Sequence, residues 1–312
     1  MSNILLFLLI LSCYANIRPA GASDIGEFFQ TFGVKLSSAA QYVKNELLEF
    51  YHKIRTFFIG HSHSTHHAMK NRGCGISDHE PTVYDIATVP KIKGGDDALW
   101  HTWPWMVALF TNPRHGWSCA GVLINTDTIL TAAHCKLNPL NYYTISSIHR
   151  HPTFKNCCKN DLAILKLSRH VLYGPKINSV CLPHILLPEV NEKNVVNKTV
   201  VIIGWGDSST SKITNLFKSF TLQQANIQVF DNQHCKKWFP GVFDEKHEFC
   251  AGDYQQRADT MSGDSGGPLL IRNSDNRWTV LGVTSYGSAT SNKAPGVYVK
   301  LSAYKDWIQS YL

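Results

Sequence analysis

Six residues in the last quarter of the chain, Gly263-Asp264-Ser265-Gly266-Gly267-Pro268, set a single serine among glycines. Glycine lacks a Cβ, so such a run permits the tight backbone turn that can aim the N–H groups of Gly263 and Ser265 at one developing negative charge. A serine so placed suits acyl transfer. That chemistry needs an imidazole to take and return the hydroxyl proton, a carboxylate to fix the imidazole tautomer, and N–H donors for the oxyanion. His134 stands in Leu130-Thr131-Ala132-Ala133-His134-Cys135, and Asp161 opens Asp161-Leu162-Ala163-Ile164-Leu165-Lys166-Leu167 after Asn160. Every part of the chemistry therefore has a candidate: Ser265, His134, Asp161 and the amides of Gly263 and Ser265.

The elements that must position these groups read as strands. From Ile92 onward the chain consists of short β-rich runs separated by turn residues, among them Met106-Val107-Ala108-Leu109-Phe110, Val200-Val201-Ile202-Ile203 and Val280-Leu281-Gly282-Val283. That texture predicts an all-β barrel or sandwich. The tail differs: Tyr304, Trp307, Ile308 and Tyr311 share one helical face, which predicts a closing helix.

The serine, histidine and aspartate segments closely resemble those of the chymotrypsin-like (trypsin family) serine proteases, in the family's order of His, Asp, Ser. Trp103-Pro104-Trp105, Gly204-Trp205-Gly206 and Pro295-Gly296-Val297-Tyr298 extend the resemblance over residues 92 to 312. It implies two packed six-stranded antiparallel β-barrels with a C-terminal helix. It also implies a serine endopeptidase with His134, Asp161 and Ser265 as catalytic residues and the N–H groups of Gly263 and Ser265 as oxyanion hole. Asp259 matches the acid at the base of a pocket for Arg or Lys, Gly287 and Gly296 match glycines that leave the pocket open, and Ser285, Tyr286 and Gly287 match the strand that pairs with substrate backbone. Lys91-Ile92-Lys93-Gly94-Gly95 resembles a zymogen cleavage site: cutting after Lys91 frees an Ile92 amine that would pair with Asp264. Three disulfides are implied as well, Cys119 with Cys135, Cys235 with Cys250, and Cys74 with Cys181, the last tethering the pro-region to the protease domain after cleavage. The resemblance calls for no cofactor or metal. Its partners are protein or peptide substrates with Arg or Lys at the cleaved bond, an activating trypsin-like protease, and protein inhibitors.

The chain departs from the family in four places. Met261 and Thr290 stand where most members carry a disulfide bracing the pocket, and Lys93 replaces an apolar residue. The adjacent Cys157 and Cys158 match no common pair; they could close a ring with each other, bridge to another chain or stay free. His134 and Asp161 are 27 positions apart, against roughly 45 in the family. The first barrel is therefore expected to be shortened. This shortening and the missing brace motivate an alternative reading, a non-catalytic serine protease homologue acting as a binding or regulatory protein.

The N-terminal part has a different character. Ile4 to Leu11 is an apolar run too short to cross a bilayer and reads as a signal peptide spanning residues 1–22, so a secreted, extracellular protein is expected. Residues 23–91 form a pro-region. In it Ile25, Phe28, Phe29, Phe32, Leu36, Ala40, Val43, Leu47, Phe50, Ile54 and Phe57 recur at steps of three and four, the pattern of an amphipathic helix. Through that helix alone would the protein meet a membrane surface. His61, His63, His66 and His67 follow, at a spacing that could bind Zn²⁺ or titrate together at mildly acid pH, or simply form a polar linker, since no cysteine or carboxylate nearby completes an obvious ligand set. Export suits the eight cysteines left once Cys13 is removed with the signal, and Asn197-Lys198-Thr199 is a glycosylation sequon. Across 312 residues, 44% hydrophobic and 17% charged, a full-sized core can form. The net charge of +7 is scattered and accompanies no nucleic-acid motif, so no nucleic-acid partner is expected.

Overall fold

The computed structural model describes residues 73–79, 81, 96–112, 116–135, 145–155, 158–183, 195–206, 221–254, 263–288 and 294–312. The chain divides into two compact units, residues 1–68 and 69–312, and all described residues lie in the second. The pro-region helix and the histidine cluster fall outside the described residues. Among those described, no helix is long and apolar enough to cross a membrane.

The described residues form two antiparallel sheets. The first holds β1 (Met106–Asn112), β2 (Gly116–Leu123), β3 (Thr128–Thr131), β4 (Ile145–Arg150) and β5 (Ala163–Leu167), in the order β1-β2-β3-β5-β4. The second holds β6 (Thr199–Gly204), β7 (Gln223–Val229), β8 (Glu248–Gly252), β9 (Pro268–Arg272), β10 (Trp278–Tyr286) and β11 (Gly296–Lys300). Its order is β7-β6-β9-β10-β11-β8, and the pairing of β7 with β8 closes it into a six-stranded barrel. Closure removes the open edges that an extended sheet would present. A two-residue strand, Asp96–Asp97, pairs with Gln223 and Gln224 of β7.

The continuous apolar runs that predict strands have a physical cause. Val201, Ile203, Leu270, Val280, Val283 and Val299 join Leu109, Val122, Leu130 and Ile164 of the first sheet in one cluster. Their neighbours Val200, Ile202, Leu269, Leu281 and Tyr298 belong to a second cluster with Ile227 and Phe249. Strands β6, β9, β10 and β11 thus alternate between two apolar surroundings, whereas β7 sets Gln224, Asn226 and Gln228 between its buried Ala225, Ile227 and Val229. Trp103 and Trp278 meet edge to face at 4.8 Å, while the Trp103 Nε1–H donates to Gln224 Oε1 at 2.7 Å across the two halves.

The closing helix is short. A 3₁₀ turn, Leu301–Tyr304, leads into a helix of Lys305–Gln309 that buries Ile308, with Trp307 and Tyr311 packed partly against the core. The trypsin-like β architecture is present, and in line with the expected shortening of the first barrel, its sheet has five strands among the described residues and ends on β1 and β4. Only residues 136–144, outside the described set, separate the His134 turn from β4, too little chain for the family's usual span between histidine and aspartate.

Candidate active site

Asp161 is 1% exposed at the entrance to β5, and its two oxygens face three donors. Oδ1 accepts the backbone N–H of His134 at 2.8 Å. Oδ2 lies 2.6 Å from His134 Nδ1 and accepts the Ser285 hydroxyl at 2.6 Å. A buried carboxylate is costly unless hydrogen-bonded, so this ring of donors is what allows the acid to sit inside. Because Nδ1 is engaged, Nε2 is the ring nitrogen left on the far side of the imidazole. The His134 side chain is 32% exposed, open enough for a reacting group to approach.

Local backbone geometry carries both residues. Arg150 Nε–H donates to the Ala133 carbonyl at 3.2 Å, holding the turn after β3. Asn160 takes a left-handed φ of 54°, which asparagine tolerates well, and its Oδ1 accepts the Tyr304 hydroxyl at 2.8 Å. Ser285 reaches Asp161 because the register of β10 against β11 shifts between Thr284 and Tyr286. A bulge of this kind re-aims one side chain out of the ladder.

Ser265 lies on a turn between Gly263, with φ 110°, and Gly266, with φ 81°. Its carbonyl accepts the Ala120 N–H at 2.8 Å and sits 3.8 Å from Cys135 Sγ, so this turn packs against the segment that bears His134. Gly266 could be nothing else: a Cβ there would stand 2.2 Å from Thr131 Oγ1 and 2.3 Å from the Ala120 carbonyl. Asp264 is 2% exposed, and its Oδ1 accepts the Gly206 N–H at 2.7 Å. A Cβ on Gly204 or Gly206 would collide with that carboxylate, which explains the glycines of Gly204-Trp205-Gly206.

Around these groups, Ser285 and Tyr286 end β10, and Gly287 follows where an added Cβ would meet nothing. Gly296 opens β11 opposite Ala251. Disulfides join Cys74 to Cys181, Cys119 to Cys135 and Cys235 to Cys250. Cys158 is disulfide-bonded too, next to Lys159, which forms an isolated antiparallel bridge with Lys155. Asn197 is exposed with φ 63°. Lys91, Ile92, Asp259, Met261 and Thr290 lie outside the described residues. Cys119, His134 and Cys135 approach one another closely enough to suggest a metal, but both sulfurs are spent in one disulfide and do not fit as ligands.

Residues 92–308 match the family described as Trypsin. The chain belongs to the trypsin family. It is 33% identical over 254 residues to the clotting factor G beta subunit of Tachypleus tridentatus, covering 71% of this chain and 79% of that protein. To transmembrane protease serine 11C of Mus musculus it is 34% identical over 243 residues, covering 70% of this chain and 53% of the relative. A solved structure of neuropsin, a serine protease expressed in the limbic system of mouse brain, superposes with a TM-score of 0.58 at 29% identity, over 70% of this chain and 98% of that one. The trypsin-family fold accounts for the β-barrel, the second sheet and the C-terminal helix. Sequence reasoning did not single out two groups at the site. One is the contact of Ser285 with Asp161, which depends on a bulge; the other is Glu248, whose only sequence signal is a carboxylate at the head of the apolar run Phe249-Cys250-Ala251.

Proposed function

We propose that this trypsin-family protein is an active, secreted serine endopeptidase that cleaves after Arg or Lys. The observation that carries this reading is the buried Asp161 bound to His134 Nδ1, with the Ser265 turn docked beside them. Such an Asp161 holds the imidazole in the tautomer whose Nε2 can accept a proton. His134 then takes the Ser265 proton as the hydroxyl attacks the peptide carbonyl, and returns it to the leaving amine. The N–H groups of Gly263 and Ser265 stabilise the oxyanion, water completes the second half-reaction, and no cofactor takes part. Asp259 provides the charge that selects Arg or Lys, in a pocket that Gly287 and Gly296 keep open. The Ser285-Tyr286-Gly287 edge pairs with the substrate backbone.

The protein is made as a zymogen in this reading. Residues 1–22 are a signal peptide, 23–91 a pro-region and 92–312 the protease domain. A trypsin-like activator cuts Lys91–Ile92, and the freed amine pairs with Asp264. The Cys74–Cys181 disulfide keeps the cut pro-region attached, and Asn197, exposed in its turn, is a glycosylation acceptor. The five described strands of the first sheet favour the alternative of a non-catalytic homologue; the Asp161–His134 pairing favours the enzyme.

The test is hydrolysis of paired Arg, Lys and Phe chromogenic peptides by the secreted protein before and after trypsin treatment, with the new N-terminus sequenced and a fluorophosphonate probe added. Activity on Arg and Lys is expected once Ile92 is exposed, with labelling lost in Ser265→Ala. No labelling of a folded protein that begins at Ile92 would falsify the enzyme reading and leave the non-catalytic one.

A further inference from the structure

One buried carboxylate has no part in the mechanism above. Glu248 opens β8 at 3% exposure, opposite Val299 of β11. Its Oε2 accepts the Asp244 N–H at 2.8 Å and the Tyr286 hydroxyl at 3.0 Å. Tyr286 is the last residue of β10, one past Ser285, and its ring packs edge-on against Phe239 at 5.5 Å. The strand end is therefore fastened twice: Ser285 to Asp161 and Tyr286 to Glu248.

We propose that Glu248 is a positioning residue for the substrate-pairing edge: acting through the Tyr286 hydroxyl, it sets Ser285-Tyr286-Gly287 so that substrate residues on the amino side of the cleaved bond pair fully. This rests on the reading of that edge given above. The influence of the carboxylate on the edge passes through one hydroxyl, that of Tyr286.

The charge state of Glu248 is set by everything packed around it. Burial pushes its carboxyl up to about 7, against the hydrogen bonds from the Asp244 amide and Tyr286. Burial also raises Asp244, on the turn before β8, but the His247 hydrogen bond and the Lys246 amide outweigh it and hold Asp244 below the usual range. The Tyr286 and Tyr304 hydroxyls are both pushed up, first by burial and then by the charge of Glu248. His151 stands behind His247, and burial together with His247 lowers it. Lys300 of β11 donates to the Glu245 carbonyl at 2.7 Å and lies over the Phe249 ring. A carboxylate accepts the Tyr286 hydroxyl more strongly than the neutral acid does, so the edge is held best once Glu248 ionises.

The experiment uses the full chain, activated by trypsin and counted by active-site titration. It compares a single-residue Arg ester with a four-residue peptide anilide ending in the same Arg, as a ratio of kcat/KM values, so that pH effects common to both substrates cancel. In the parent the ratio should rise as pH climbs through about 7. Glu248→Gln should flatten that rise. Glu248→Leu and Tyr286→Phe should each lower the ratio about tenfold above the transition, with the loss in KM of the longer substrate. Tyr286→Phe keeps the ring on Phe239 and answers the question even if Glu248→Leu fails to fold. A parent-like ratio in Tyr286→Phe, or a parent-like pH slope in Glu248→Gln, overturns the proposal. A parent that hydrolyses neither substrate overturns the reading of the whole site, and this inference with it.

Discussion

At Asp161 Oδ2 two partners meet, His134 Nδ1 and the Ser285 hydroxyl, each at 2.6 Å. The second contact matters because Asp161 is buried and cannot draw on water for a donor it loses. Deleting the hydroxyl leaves one oxygen of the acid less well held, and with it the tautomer and orientation of the imidazole. In the trypsin-activated protein, Ser285→Ala should lower kcat on an Arg anilide about tenfold with KM little changed, a loss typical of one hydrogen bond to a charged group. Loss confined to KM would assign Ser285 to substrate pairing alone. His134, Asp161 and Ser265 were legible in the chain as candidates because each sits in a distinctive run of neighbours. The Ser285 contact was not, since Thr284-Ser285-Tyr286 reads as ordinary strand until its partner strand shifts register.

Among the elements, the turn from Gly263 to Gly267 is the most constrained. It crosses between the two sheets, with Ala120 of β2 donating to Ser265 and Gly266 donating to Thr284 of β10. Gly266 combines a left-handed φ of 81° with contacts that leave no room for a Cβ. Strain there costs on the order of 1–3 kcal/mol before any clash with Thr131 is counted. Gly266→Ala is therefore expected to lower Tm by at least about 4 °C in a domain of this size, read by calorimetry, and to weaken fluorophosphonate labelling as the turn moves away from β2. An unchanged Tm with full labelling would mean that the turn relaxes freely. Strand texture was likewise legible: a run such as Val200-Val201-Ile202-Ile203 has to be covered on both faces, and two clusters cover it. Which strands pair follows from contacts distant in sequence, although the short span from His134 to Asp161 already pointed to a reduced first sheet.

Over the whole molecule, the segment around Cys74 is stitched to the barrel by more than sulfur. Gly75 donates to the Ser179 carbonyl and accepts from Trp278, and Asn178 Nδ2 donates to the carbonyls of Gly73 and Ile76. Position 75 requires glycine, because its φ is 70° and a Cβ would stand 2.3 Å from the Trp278 carbonyl. After trypsin cuts at Lys91, the N-terminal piece should remain with the protease domain on a non-reducing gel and separate on reduction. In the Cys74→Ser/Cys181→Ser double variant it should separate under denaturing conditions without reductant. Release from the unmodified protein without reductant would show that the tether does not form.

The sequence by itself determined the chemistry on offer and the fold that would carry it. A serine between glycines, a histidine beside a cysteine and an aspartate heading an apolar strand are local facts, settled by covalent neighbours, and they led to the trypsin family and its β architecture. Only the tertiary structure decided which atoms meet. Asp161 lies 27 positions from His134 and 124 from Ser285, and Glu248 lies 38 from Tyr286. Contacts over such separations depend on strand register, on a bulge at Ser285 and on how far burial strips each carboxylate of water. None of these is a property of any short stretch of chain, because each arises when two distant stretches exclude solvent together.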